Sequence, residues 1–394
     1  MESYDVVVVG AGPGGAGAAL EAARKGLRVL MVEKRQEIGS PKRCGEGLSK
    51  GAAKRMGIEP DPLWIRREIR GATAVAPDGK RVTIDYREGP QGWVIERKAF
   101  DKFLVGLAVN AGARALARTE VAGLVREEGI VSGAELESGD KAWKVKAPLI
   151  IAADGVESRI AREAGIDTTL KLLDVCSGVQ LEMTGIEIDP DRIELYFGNE
   201  VAPGGYVWIF PKGEDTANVG IGVRKPFAKK PALEYLRDFI EERPGLRKGS
   251  VLEVNSGGVP VGGFLESMVT DNLMVVGDAA HQVNPIHGGG ISEAFVAGRL
   301  AGQVAAEARE ARDFSETFLS RYNERWWKER GETLKKVLKL RMVVEGLRDE
   351  ELNWLAGNLK GEDLIEFSKA RGFAMLARLL MKRPRLVGLA RKLV

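Results

Sequence analysis

The sequence is poor in the residues that build disulfide frameworks and structural metal sites. Among its 394 residues only Cys44 and Cys176 are cysteines and only His281 and His287 are histidines. Two thiols cannot staple a domain of this length, so a reducing cytoplasm is the expected compartment. A Cys/His zinc centre is not expected, and no residue is assigned as a metal ligand. Aromatic residues make up only 6%, which makes each Trp or Tyr cluster worth locating. No apolar run approaches the roughly 20 residues of a membrane-spanning helix. The first strand begins within a few residues of the N-terminus, so a signal peptide is not expected either. Charge excess is also lacking: the formal net charge is +3, and no basic stretch interleaves with aromatics, so nucleic acid is not an expected partner. What remains is a chain with 44% hydrophobic and 29% charged residues. That is the balance of a globular protein, with length enough for two domains and some additional structure.

The most informative stretch runs from Asp5 to Glu33. Val6-Val7-Val8-Val9 is an apolar β-branched run of the kind buried on both faces of a parallel sheet. Gly10-Ala11-Gly12-Pro13-Gly14-Gly15 follows, then an Ala-rich helical stretch to Lys25, a stop at Gly26, and a second strand, Leu27 to Val32, closing on Glu33. This is G-x-G-x-x-G between strand and helix. Gly10 allows the turn, Gly12 lets backbone approach a pyrophosphate at the helix N-terminus, and Gly15 lets helix and strand pack closely. Glu33 stands where a carboxylate can accept both ribose hydroxyls of an adenosine.

Three further turns follow strand-like or polar stretches. Arg43-Cys44-Gly45-Glu46-Gly47 brings two glycines beside a thiol. Leu149 to Ala153 reads as a buried strand delivering Asp154-Gly155 at its carboxyl end, where ligands bind in such sheets. Asn272 to Val276 is another such strand, leading to Gly277-Asp278 and then to Asn284-Pro285-Ile286-His287-Gly288-Gly289-Gly290-Ile291 and a helix. Alternation marks antiparallel strands over 65–95 and again from about 170 to 255, and periodicity predicts a helix over 99–111. The expected fold class is α/β. A discontinuous Rossmann-like nucleotide domain (1–64, 96–165 and 256–310) carries an inserted antiparallel β-sheet substrate domain (65–95 and 166–255), followed by a C-terminal helical region (311–394).

Four such turns suit one long cofactor approached from several sides, and the combination resembles flavoproteins of the para-hydroxybenzoate hydroxylase and glutathione reductase classes. A narrower resemblance, to the geranylgeranyl reductase family, rests on three stretches. They are Arg43-Cys44-Gly45-Glu46-Gly47, Pro203-Gly204-Gly205-Tyr206-Val207-Trp208-Ile209-Phe210-Pro211, and Asn284 to Ile291, with Gly220-Ile221-Gly222 shortly after the second. The resemblance implies FAD as cofactor and reduction of isoprenoid C=C bonds of archaeal membrane lipids. It implies FAD contacts from Gly14 and Gly15 at the phosphates, Glu33 on ribose, Arg43, Cys44, Gly45 and Gly47 around the ring, and Arg97 beyond a strand end. Val121 would hold adenine through its backbone, Asp154 would contact the ADP half, Asp278 the ribityl chain, and Gly289, Gly290 and Ile291 the pyrimidine side. His287 stands where a small hydroxyl residue is commoner in the family.

An isolated alkene is a poor electrophile, so hydride addition needs a proton delivered to the other carbon at nearly the same moment. Cys44, Tyr206, Trp208 and His287 are the residues expected at the reacting carbons. Cys44 is a thiol whose pKa Arg43 could lower, and His287 is a candidate proton donor. Tyr206, Trp208 and Phe210 alternate along one strand and should share a face, lining a prenyl-chain tunnel or simply filling core. Expected partners are a geranylgeranyl-chain lipid and a low-potential electron donor, ferredoxin or a nicotinamide.

From Phe367 onward there are eight Lys or Arg and no acid, with apolar residues between them at near-helical spacing. That pattern fits peripheral attachment to the inner face of the cell membrane, or a solvated helical face. Trp326-Trp327 is a candidate closure for the far end of a tunnel. Two other functions remain open at this level: an FAD-dependent monooxygenase on the same fold, and a non-catalytic prenyl-lipid binder.

Overall fold

A computed structural model describes residues 1–393. Its first layer is a six-stranded sheet in the order Val269–Thr270, Leu273–Val275, Leu149–Ala152, Val6–Val9, Val29–Val32, Arg114–Leu116. All neighbours in it are parallel except the edge pair 269–270 with 273–275. The all-apolar composition of Val6–Val9 and Leu149–Ala152 follows from their position: every residue is buried, because helices cover one face and a small antiparallel sheet (Glu120–Glu127, Ile130–Ser138, Lys141–Lys146) adjoins the other. Each such aliphatic side chain contributes about 1.5–3 kcal/mol on burial. Residues from both ends of a 270-residue span thus belong to one sheet, with Leu149–Ala152 between them, as the strand pattern predicts.

Two helices of this layer, Pro13–Arg24 and Ile291–Ala311, pack backbone to backbone. A Cβ at Gly298 would lie 2.0 Å from the Gly14 carbonyl oxygen, and one at Gly302 would lie 2.7 Å from that of Ala18. Gly17 faces Phe295 in the same way. These glycines let the two helix N-termini emerge next to each other.

The second layer is a seven-stranded, mostly antiparallel sheet in the order Ser250–Pro260, Val175–Thr184, Ala217–Arg224, Tyr206–Pro211, Arg192–Tyr196, Gly71–Val75, Arg81–Asp85. Its odd-numbered apolar residues (Leu181, Met183, Val207, Ile209, Val219, Ile221) pack against Leu236 and Phe239 of the helix Ala232–Glu241. The even-numbered face looks back at the parallel-sheet layer. The segment 65–95 divides: 71–85 joins this large sheet, whereas Gly92–Ile95 is the central strand of a separate three-stranded sheet, between Ile65–Ile69 and Gly47–Ser49.

The C-terminal region is helical, from Glu316–Trp326 to Val387–Ala390. Most leucines of the basic tail enter a core of the C-terminal region, where Leu376, Leu379, Leu380 and Leu386 pack with Leu340, Val343, Leu347 and Leu355, while Met375 and Met381 stay exposed. Trp326 is likewise core, fully buried against Phe264 rather than facing a tunnel. Among the described residues no helix is long and apolar enough to cross a membrane.

Candidate active site

The glycine turn forms a cradle at the carboxyl ends of the parallel strands. Gly10 adopts φ +102°, and a Cβ there would strike the Ala153 carbonyl oxygen at 2.4 Å, so only glycine serves. A Cβ at Gly15 would fall 1.8 Å from the Gly10 oxygen, the close strand–helix contact expected of the third glycine. Gly12, by contrast, has open space where a Cβ would be. The helix that starts at Pro13 has no side-chain cap, and neither does the helix that starts at Ile291. Two uncapped N-termini, with free N–H groups and positive dipole ends, therefore share one opening.

Three carboxylates border that opening. Glu33 accepts the N–H groups of Ala11 and Arg35, each at 3.0 Å, which fixes it across the first turn. Asp154 accepts from the Ile160 N–H at 2.9 Å through Oδ2, while its Oδ1 is buried without a partner, and burial pushes its pKa up. Asp278 sits against Gly290, where a Cβ would meet Oδ1 at 3.2 Å. Burial pushes Asp278 up to about 6, with Arg97 pulling it back and Glu157 adding to the rise. The residue nevertheless keeps solvent-accessible surface, which is the signature of a wall of a deep internal cleft.

The Arg43-to-Gly47 loop enters this cleft from the other side, and its geometry rests on Glu46. That carboxylate is fully buried and accepts four hydrogen bonds: from the Arg97 N–H at 2.8 Å, Asn218 Nδ2 at 2.7 Å, Lys212 Nζ at 2.9 Å and Lys42 Nζ at 3.3 Å. The two lysines also bind Glu182, and Lys212 binds Glu96 at 3.0 Å. Burial raises Glu182's pKa less than the bonds from Lys42 and Lys212 lower it, so it ionises below the ordinary range. The network holds Glu46 at φ +71°, a conformation a non-glycine residue rarely adopts. In that conformation its N–H donates to Cys44 Sγ at 3.2 Å. Arg97 lies beside the same thiol with its guanidinium bonded to Asp101 at 2.8 and 3.0 Å. Burial works against its charge, but Asp101 and then Cys44 more than offset that.

Gly45 and Gly47 are small for a reason beyond ligand approach: Cβ atoms there would lie 3.2 and 3.0 Å from the Phe210 ring. The aromatic strand therefore seats the thiol loop. Its alternation is as expected. Tyr206, Trp208 and Phe210 are half-buried on the cleft face, and Val207 and Ile209 are buried in the opposite core. Trp208 donates to Gln180 Oε1 at 2.9 Å and lies on Gly220, where a Cβ would be 2.3 Å from its ring. Tyr206 donates to the His287 carbonyl oxygen at 2.7 Å. Burial raises the Tyr206 pKa, and strand alternation puts Cys176 on the same face of the sheet, its Sγ 2.8 Å from where a Cβ at Gly222 would lie.

His287 projects into the cleft, and its Nδ1 accepts the Gly289 N–H at 3.1 Å. Burial lowers its pKa, with Glu293 opposing. A neutral imidazole with Nδ1 occupied as acceptor is a poor acid, which weakens the proton-donor expectation for this residue.

Cys44, Arg97, Asp278, Tyr206, Trp208, His287 and Gly289-Gly290-Ile291 thus converge, although they come from five separate stretches of chain. Arg43 does not point its charge at them. It bonds Glu157 at 2.7 Å and lays its stem over Gly257. Val121 is buried in the core, and its carbonyl accepts from Arg159. The structure adds Lys42, Lys212, Glu182, Asn218 and Asp101, which in the sequence look like ordinary polar or charged residues, and it gives Glu46, already inside the Arg43-to-Gly47 stretch, its part in the network. Among the described residues no group of three His, Cys, Asp or Glu could hold a metal ion.

Comparison with known proteins gives this geometry a lineage. Residues 3–199 match the model of an FAD binding domain, and residues 174–259 match that of the geranylgeranyl reductase catalytic domain. The digeranylgeranylglycerophospholipid reductase of Methanocaldococcus jannaschii is 44% identical over 98% of this chain and 96% of its own length. One from Methanothermobacter thermautotrophicus is 43% identical over 99% and 100%. The chain belongs to the geranylgeranyl reductase family. A solved geranylgeranyl bacteriochlorophyll reductase-like protein from Thermoplasma acidophilum superposes with a TM-score of 0.91 at 37% identity, covering all of both chains. A flavin-dependent brominase, at TM-score 0.70 and 22% identity, shares the fold alone. FAD is the cofactor of this family member, and the cradle fits it. The uncapped helix pair suits a pyrophosphate, Glu33 a ribose, and the orphaned Asp154 oxygen and Asp278 the hydroxyl-rich stretch between phosphate and ring.

Proposed function

We propose that this protein reduces the C=C double bonds of geranylgeranyl chains on an archaeal ether phospholipid, and that Cys44 supplies the proton. The observation that carries the reading is the convergence of the thiol loop on the aromatic strand, with Gly45 and Gly47 against Phe210 and the Cys44 thiol beside Arg97. When bound and reduced, FAD supplies a hydride from its N5 position. The chain's own residues do the rest. The uncapped helices and Glu33 anchor the cofactor, and Glu46 holds the Cys44 thiol toward the cleft. Tyr206, Trp208 and Phe210 exclude water and orient an apolar chain. The match of residues 174–259 to a catalytic domain named for geranylgeranyl reduction supports the substrate class.

The four glycine or acidic turns are all used by one cofactor, so the reductant is an external low-potential carrier, a ferredoxin or a nicotinamide. Peripheral contact with the inner face of an anionic membrane completes the reading. The basic tail's leucines are mostly internal, with Met375 and Met381 left exposed, and elsewhere Leu172 and Leu173 (71% and 57% exposed) and Phe227 (42%) cluster around Arg224, flanked by the exposed Lys171, Lys225 and Lys229. Sedimentation with anionic vesicles, weakened by salt and by Leu172→Ser/Leu173→Ser, tests that part.

Anaerobic incubation of dithionite-reduced enzyme with a digeranylgeranyl phospholipid, followed by mass spectrometry, tests the reaction. Mass gains in steps of two hydrogens are expected. Strict dependence on oxygen would instead assign the protein to monooxygenase chemistry, and a purified protein without flavin colour would make it a lipid binder.

A further inference from the structure

The cleft-facing side of the large sheet is laid out in rows by its strand register. Phe210, Asn218, Glu182 and Glu253 form one row across four strands, and Trp208, Gly220, Gln180 and Asn255 the next. The third row is Tyr206, Gly222, Gly178 and Gly257, and the fourth holds Arg224, Cys176 and Val259. Beyond Tyr206 the third row therefore has no side chain at all. It is a strip of bare backbone one residue wide, bordered by Trp208 and Gln180 on one side and Cys176 on the other.

The three glycines differ in what covers them. A Cβ at Gly222 would meet Cys176 Sγ at 2.8 Å, and one at Gly257 would meet the Arg43 stem at 3.3 to 3.5 Å. A Cβ at Gly178 would find nothing nearer than the Gly257 and Ile221 carbonyl oxygens, at 3.4 and 3.9 Å. Nor is its φ positive, so no backbone constraint calls for glycine there. Glycine inside a strand weakens it and buries nothing, and where no bulge or packing clash explains it, close approach of another group does. Because side chains alternate along a strand, the open space lies on the side of Cys176 and Gln180, which is the cleft.

Building on the functional reading above, we infer that Gly178 floors the bed of the isoprenoid chain and sets its depth. From Tyr206 to Gly257 the row crosses three strand spacings, about 14 Å at about 4.8 Å each, and the bare strip takes the last two of them. It is one row wide, which fits a linear polyene and not the broad face of a flavin ring. Its Tyr206 end joins the cluster of Cys44 and His287, and its other end closes under Arg43. The chain is thus threaded past the Cys44 thiol with its methyl branches lying on backbone, where a methyl-bearing side chain would lift it.

Gly178→Ala and Gly178→Val in the FAD-loaded enzyme test this, with the flavin absorbance spectrum titrated by a digeranylgeranyl phospholipid in detergent. Expected are unchanged flavin content, a melting temperature equal to or above wild type, and lipid binding weakened in the order glycine, alanine, valine, by about tenfold or more for valine. The KM for the lipid should rise more than kcat falls. A structural glycine would show the opposite: lower melting temperature with lipid affinity intact. Equal lipid affinity in Gly178→Val, or loss of flavin from it, overturns the inference alone. A wild-type enzyme whose spectrum ignores the lipid overturns the functional reading and the inference with it.

Discussion

The carboxylate of Glu46 accepts the backbone N–H of Arg97 at 2.8 Å, tying the loop that carries Cys44 to the first turn of the helix Arg97–Asn110. Glu46 is also the meeting point of Lys42 and Lys212, both almost wholly buried. Removing one partner of such a network leaves charges without compensation. Glu46→Ala should therefore cost about 3–5 kcal/mol in urea unfolding at pH 7. Glu46→Gln, whose amide keeps a single acceptor oxygen and so retains either the Arg97 N–H bond or those from Lys42, Lys212 and Asn218 but not both, should cost about half as much. The glutamine variant should also alter the rate at which iodoacetamide alkylates Cys44, since the Glu46 N–H is the group that touches the thiol. An unchanged alkylation rate would separate the network from the thiol's orientation.

Cys44→Ser replaces the thiol with a group that cannot share a proton as readily, without changing the shape of the loop. The variant should bind FAD with an undisturbed spectrum and lose about 10²- to 10⁴-fold in turnover of a geranylgeranyl lipid. Full turnover would remove Cys44 from the chemistry.

Gly220→Ala drives a methyl group to within 2.3 Å of the Trp208 ring, a separation no real contact sustains. The indole must leave its seat and its bond to Gln180. Overpacking of this kind costs about 1–3 kcal/mol. A variant as stable as wild type, with unchanged tryptophan fluorescence, would contradict the seating of Trp208.

Asp278 has a pKa raised from its ordinary 3.8 to about 6, chiefly by burial. A carboxyl that holds its proton more tightly when folded stabilises the FAD-free protein most at acid pH. That contribution is lost as pH rises from about 4 through about 6. Asp278→Asn should therefore stabilise the FAD-free protein by on the order of 1–3 kcal/mol at pH 7, and by nothing below about pH 4. Paired thermal melts across that range measure it. A gain that grows toward acid pH would reverse the sign and refute the assignment.

The parallel layer was legible because strands buried on both faces must be apolar throughout, and Val6–Val9 and Leu149–Ala152 say so without ambiguity. The aromatic face of Tyr206, Trp208 and Phe210 followed from strand alternation alone. The ion network was not legible. Lys42, Glu46, Glu182 and Lys212 look like surface charges one at a time, and only the register of three strands and one loop brings them together. Gly178 was hidden for a similar reason, because its meaning lies in Gly222 and Gly257 on neighbouring strands. His287 could be placed in the site from its glycine-rich turn. The bond its Nδ1 accepts from the Gly289 N–H is a matter of local backbone geometry, which sequence spacing does not contain.

The glycine contacts between Pro13–Arg24 and Ile291–Ala311 have a consequence for biosynthesis. Gly14 meets Gly298, so the first helix to leave the ribosome cannot find its partner until about three-quarters of the 394 residues have been made. Contacts so distant in sequence form late. The nascent N-terminal strand and helix must wait, with an unfinished phosphate cradle, for most of the chain to be translated. Cofactor loading is therefore a closing event of synthesis, and a truncated chain ending before Ile291 should emerge without flavin.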